Sequence, residues 1–172
     1  MTALLAACIL AGPNDVPTAP EVVNRALALA KRENRPVFLY FRASWCGWCK
    51  RTDRLLKDPA LAPAFRRSYV IQPIVVRERP DRAYEENDGW ANVMLRYRGR
   101  ADQDVPYYVV LRPDGQVFAR SQDPRGEIPG NGGFPRTESE MDAFVGMIRR
   151  TGKFRPAELS QLRSTLAKTA RR

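Results

Sequence analysis

Residues Phe41–Lys50 read FRASWCGWCK, and the run just before them, Val37–Phe41, reads VFLYF. VFLYF is short, β-rich and apolar throughout, as a strand buried on both faces should be. Two cysteines, Cys46 and Cys49, then follow three positions apart, each with a tryptophan before it, Trp45 and Trp48. The segment KRTDRLLK continues them as a helix that ends near Asp58-Pro59. The pair therefore sits where a strand hands over to a helix, with Cys46 at the helix N-terminus and Cys49 one turn inside. Three uses compete for such a pair: redox exchange, part of a metal site, or a structural disulfide.

Positions three apart on a helix face the same side, with Cβ atoms about 5–6 Å apart, which is within disulfide reach. The two sulfurs are unequal. Cys46 meets the unsatisfied N–H groups and the positive end of the helix, which favours its thiolate. Cys49 is expected to be shielded and less acidic. An accessible acidic thiol beside a covered one suits exchange: Cys46 attacks a disulfide, and Cys49 displaces the tethered thiol. A structural disulfide inside one turn closes a very small loop and has little entropic value. A metal site needs about four ligands, and the chain has one further cysteine and no histidine.

The lack of histidine also removes every Cys-His and Ser-His catalytic pair. The 172 residues suffice for one domain with a core, and 44% hydrophobic residues mark it as globular. The net charge is +10, from 29 basic against 19 acidic residues. The basic residues are scattered rather than clustered, which argues against nucleic acid and leaves an acidic partner or an anionic membrane surface open. Nothing reaches the ~18 consecutive apolar residues of a membrane span.

Cys8 lies in the apolar stretch ALLAACILAG. That stretch reads as the core of a secretory signal, and LAAC (Leu5–Cys8) is similar to a bacterial lipoprotein box with Cys8 as the lipid acceptor. No basic residue precedes it and it is short, so a mis-set start or a frayed apolar end is the competing reading. Export is the expectation, with the protein extracytoplasmic, periplasmic or membrane-anchored, and cytoplasmic if the segment is no signal. Residues 1–20 form this segment and a proline-rich linker, 21–150 the main domain, and 151–172 a helical extension.

Along the domain, Val22, Val23, Ala26, Leu27 and Ala30 recur at helical spacing, with Pro20 suited to the first helical position. Tyr69–Val76 reads as a second strand, although Pro73 limits its pairing. A charged loop follows, then a helix over Trp90–Gly99. Val105–Leu111, the turn RPDG and QVFARS make a hairpin. A Gly/Pro loop spans Asp123–Pro135. Thr137 and Glu140 form a capping box for a helix with Met141, Phe144, Val145 and Ile148 on its apolar face. A last helix begins near Pro156 and carries Leu159, Leu162 and Leu166 on one side. The first two strands, joined through a helix, should be parallel, and the hairpin antiparallel. The fold class is α/β, a central mixed sheet flanked by helices.

FRASWCGWCK after VFLY resembles the active site of the thioredoxin superfamily. It is similar to the W-C-G-W-C domains attached to bacterial thiol:disulfide interchange proteins. DVPYYVVLRPDGQVF resembles the later strand-turn-strand of that superfamily. The resemblance spans roughly Glu21–Arg150 and implies a thioredoxin-like fold. It implies a protein-disulfide oxidoreductase with Cys46 as nucleophile and Cys49 as resolving cysteine. It implies that Pro106 is a cis-proline beside them and that the backbone of Val105 pairs with bound peptide. On physical grounds alone, an X-Pro bond is trans far more often than cis.

The departures matter as well. Thioredoxins proper carry a buried aspartate six residues before the nucleophile, where this chain has Tyr40. A tyrosine, with a pKa of about 10, is a poor proton acceptor at neutral pH, which leaves Glu33 or Asp53, through water, as alternatives. Arg42 alternates onto the face of Tyr40, either under the site, favouring the thiolate, or out to solvent. Trp45 and Trp48 form a substrate-contacting rim or a cover for Cys49, with Trp45 expected to pack and Trp48 to be partly exposed.

The reading is a monomeric thiol-disulfide oxidoreductase acting on protein or peptide disulfides. It needs no separate cofactor and no metal, and it is recycled by a partner that could be membrane-bound. The alternative is a non-catalytic module that binds peptides or a partner.

Overall fold

The computed structural model describes residues 16–99, 104–121 and 133–170. The apolar N-terminal segment with Cys8 and most of the Gly/Pro loop lie outside them. Among the described residues no helix is long and apolar enough to cross a membrane.

Helix α1 (Ala19–Glu33) opens on a capping box, one residue earlier than Pro20 suggested. The Thr18 backbone N–H donates to Glu21 at 2.8 Å, and the Thr18 hydroxyl accepts from the Glu21 N–H at 3.4 Å. Strand β1 (Val37–Arg42), helix α2 (Gly47–Lys57), helix α3 (Ala62–Ser68) and strand β2 (Val70–Val75) follow. The charged run expected to be a loop contains a 3-10 helix, Pro80–Glu85, with proline in its first turn. Then come α4 (Trp90–Arg98), β3 (Tyr107–Leu111), β4 (Val117–Arg120), α5 (Glu138–Thr151) and α6 (Pro156–Ala170). Thr137 and Glu140 cap α5 reciprocally.

The sheet order is β2-β1-β3-β4. β1 runs parallel to β2 and antiparallel to β3, and β3 to β4 is the expected hairpin. Gly115 adopts φ +87 in its turn, the left-handed region that glycine enters without a steric cost. Pro73 stands opposite Tyr40, and its missing N–H is tolerated because β2 is an edge strand.

Alternation divides the apolar strands between two cores. Val37, Leu39 and Phe41 of β1 join Tyr107, Val109 and Leu111 of β3 against α1 and α4. Phe38 and Tyr40 join Tyr108 and Val110 against α2, α3, α5 and α6. Leu159, Leu162 and Leu166 bury the apolar side of α6 in that second core. Burying a leucine side chain contributes about 1.5–3 kcal/mol, so α6 adheres as part of the layer. Its entry is tied to α3: the Lys153 N–H donates to the Ser68 hydroxyl, and Arg67 donates to the Lys153 carbonyl and to Glu158.

Candidate active site

The cysteine pair lies just past the C-terminal end of β1. Cys46 is the N-cap of α2, and its Sγ accepts from the Cys49 backbone N–H at 3.1 Å. One of the donors that a helix start leaves unpaired therefore points at the leading sulfur. The cysteines form a disulfide with Cα atoms 5.2 Å apart. Cys49 is fully buried, as expected. Cys46 is not the accessible partner that was expected: only 4% of it is exposed, because Val105, Trp48 and Ala43 pack around the pair. Gly47 between them is exposed, and a Cβ added there would meet nothing within 4 Å.

The Val105-Pro106 peptide bond is cis. It ends the connection into β3 and brings the Val105 carbonyl oxygen to 3.6 Å from Cys46 Sγ. The antiparallel β1/β3 register accounts for the meeting, since Phe41 at the end of β1 pairs with Tyr107 at the start of β3.

Of the two tryptophans, Trp48 is partly exposed as expected, whereas Trp45 departs from expectation. Trp45 is 40% exposed and does not pack inward. Its indole N–H donates to the Arg77 carbonyl at 2.6 Å, which holds the ring on the surface. Trp48 is half-buried: it stacks on Phe134 at 5.8 Å, with the Arg51 guanidinium 4.0 Å from its ring centroid and that of Arg136 at 5.4 Å.

Tyr40 and Arg42 do project to one side, and both end on Asp53. The Tyr40 hydroxyl donates to Asp53 Oδ1 at 2.8 Å, and Arg42 pairs with Oδ2 at 2.9 Å. Arg42 is thus committed to a carboxylate, neither free under the sulfurs nor out in solvent. Burial, and then the bond to Asp53, push the Tyr40 hydroxyl well above the usual tyrosine range, so it stays a neutral donor. Asp53 lies four residues beyond Cys49, one turn along the same face of α2. Glu33 is remote: it precedes the six-residue β1, about 20 Å of extended chain from the cysteine end, and pairs with Arg35. Thr52 adds a buried bond of 2.6 Å to the Tyr108 hydroxyl.

Glu78 is a residue that sequence reasoning missed. Its carboxylate accepts from the Ser44 N–H at 2.6 Å and from the Ser44 hydroxyl at 2.5 Å. The signal was available: parallel pairing places the exits of β1 and β2 side by side, so Glu78, three residues past β2, meets Ser44, two past β1. Phe134 was missed because a stack between distant segments leaves no local pattern.

Part of this chain is 37% identical over 60 residues to the thiol:disulfide interchange protein DsbD of Vibrio vulnificus, strains CMCP6 and YJ016. The match covers 34% of this chain and spans about a tenth of those relatives, 10% of their length. Among solved structures, the disulphide isomerase from Xylella fastidiosa Temecula1 superposes with a TM-score of 0.56 at 23% identity, covering 81% of this chain and 97% of that one. That likeness is one of fold. A family model described as thioredoxin-like matches residues 18–113. That span is more than half of the chain and takes in α1, the cysteine pair and the cis-proline, so the chain belongs to the thioredoxin-like family.

Proposed function

We propose that this protein is a thiol-disulfide oxidoreductase that exchanges the Cys46–Cys49 dithiol and disulfide with protein substrates. The observation that carries the reading is the inequality of the sulfurs: Cys46 Sγ receives the Cys49 N–H at the start of α2, while Cys49 is wholly buried. In the reduced protein that donor and the helix end stabilise a thiolate on Cys46. The thiolate attacks one sulfur of a substrate disulfide, forms a Cys46–substrate mixed disulfide and expels a substrate thiolate. Cys49, as thiolate, then attacks Cys46 Sγ, expels the second substrate thiolate and closes the Cys46–Cys49 bond. Two electrons pass to the substrate, and its thiolates take up two protons. The reverse sequence oxidises a substrate dithiol.

Asp53 is the carboxylate best placed to accept the Cys49 proton by way of water, oriented by Tyr40 and Arg42. The Val105 backbone beside Pro106 is the edge along which substrate peptide lies, with Trp45 as an exposed contact. The presence of similar sequence in thiol:disulfide interchange proteins supports an extracytoplasmic setting and a separate recycling partner.

A second reading, a non-catalytic peptide-binding module, draws on Tyr40, whose neutral hydroxyl occupies the site of the usual acid. Insulin reduction separates the two. The wild type should reduce insulin, Cys46→Ser should not, and Cys49→Ser should accumulate a covalent adduct with the substrate. A wild type without activity would leave the binding module as the function.

A further inference from the structure

Among the described residues several arginines are ion-paired: Arg35 with Glu33, Arg42 with Asp53, Arg67 with Glu158, Arg82 with Glu85, Arg155 with Glu158, and Arg163 with Glu138 and Asp142. The outer face of α2 gathers cations without such pairs. Lys50, Arg54 and Lys57 recur at helical spacing and are exposed, and none has an ion-pair partner among the described residues. The Arg51 guanidinium lies over the Trp48 ring, 4.0 Å from its centroid.

These cations border a built feature. A recess of about 300 Å³ opens between α2 and α6, lined by Arg51, Arg54 and Lys168 over Leu55, with the Thr165 and Thr169 hydroxyls in its wall. Its single carboxylate, Asp58, accepts from the Ala60 N–H. Three cations thus face one occupied anion. Arg51 and Arg54 also line a more open hollow with Lys50, Asp53 and Gly47, the last of which follows Cys46 directly. The cations therefore extend from beside the cysteine pair to α6, and the carboxylate among them at Asp53 is held by Arg42 and Tyr40.

We propose that this basic track docks an acidic segment of the protein whose disulfide is exchanged at Cys46–Cys49. The inference rests on the exchange reading above and adds the chemistry of the partner. Unpaired cations beside a recess concentrate an anionic client and orient it before the sulfurs react, an effect on encounter rate that salt screens. The cations over the apolar floor at Leu55 fit a peptide carrying carboxylates. Continuity with the sulfurs fits a reacting client.

The test has a binding arm and a rate arm, both on the full chain. In the first, a fluorescent cysteine-free peptide with a run of glutamates, or of glutamines, is titrated into Cys46→Ser/Cys49→Ser protein and read by anisotropy. In the second, the same flanks are attached to a disulfide-bonded peptide, and the rate of its reduction by the dithiol protein is measured. The glutamate flank is expected to gain about tenfold in both arms at low salt. Arg54→Glu/Lys168→Glu should abolish that gain, whereas Arg25→Glu/Lys31→Glu on α1, with the same change in net charge, should keep most of it. Equal binding of both flanks, or equal losses in the two variants, overturns the proposal. So does binding of phosphatidylglycerol vesicles that depends on Arg54 and Lys168 when the glutamate peptide gains nothing. Failure to reduce either peptide sinks the exchange reading instead, and the binding arm still tests the acidic docking.

Discussion

The two faces of the sheet each bury a core and treat polar groups differently. On the α1/α4 face the core is largely aliphatic, and its buried Tyr107 hydroxyl donates to a backbone carbonyl, that of Tyr97. On the other face the core is ring-rich, and its tyrosines reach side chains: Tyr40 meets Asp53, Tyr108 meets Thr52, and Tyr69 meets Thr151 as well as the Ile148 carbonyl. Two of those three side chains ride on α2, the helix that carries both cysteines. One layer is scaffold. The other connects the body of the sheet to the reacting helix.

That contrast can be broken. The largest effect expected is for Leu111→Ala, at the end of β3 away from the cysteines and fully buried. It should lower unfolding free energy in urea by about 2–5 kcal/mol and leave the exchange rate per folded molecule unchanged. A changed rate would mean that the scaffold layer also governs the chemistry. Thr52→Val comes next. It strands the buried Tyr108 hydroxyl and should cost about 1–3 kcal/mol, most of it restored in Thr52→Val/Tyr108→Phe. Because Thr52 stands between Cys49 and Asp53, this single variant should also alter the exchange rate.

Thr137→Ala removes the cap of α5, which belongs to the ring-rich layer but carries neither cysteine. A loss of about 1 kcal/mol with an unaltered rate is expected, which would sharpen the link from the whole layer to α2 alone. The smallest effect at its onset is alkaline. Burial raises the hydroxyls of Tyr40, Tyr69 and Tyr108 above the ordinary tyrosine value. Their stabilisation is complete below pH ~10 and declines above it, because the unfolded chain ionises first. Urea midpoints measured on either side of that pH should fall on the alkaline side, and less steeply in Tyr108→Phe.

Much of this architecture was legible because it is written locally. VFLYF, the cysteine pair and the helix after it are contiguous, and both the hairpin turn and the α5 capping box have sequence signatures. The cis bond at Pro106 was legible only through resemblance, because nothing local to the chain selects it. The destination of Arg42 could not be read, since alternation gives a face and not a partner; Asp53 arrives from α2 across the layer. Trp45 was misjudged for a related reason. A large apolar ring is expected inside, but one distant carbonyl, that of Arg77, suffices to hold it out. The basic track was hidden by the even scatter of charge along the chain. It emerges only when α6 folds back beside α2 and brings Lys168 to Arg54.

Gly47 has a consequence of its own. Its surroundings are vacant, so the fold would accept a side chain there without rearrangement. The leading sulfur is almost sealed by its neighbours, and Gly47, next to it in the chain, is exposed. Bulk at this position would spare the architecture while crowding the surface beside that sulfur, so the range of client shapes is adjustable separately from the sturdiness of the fold.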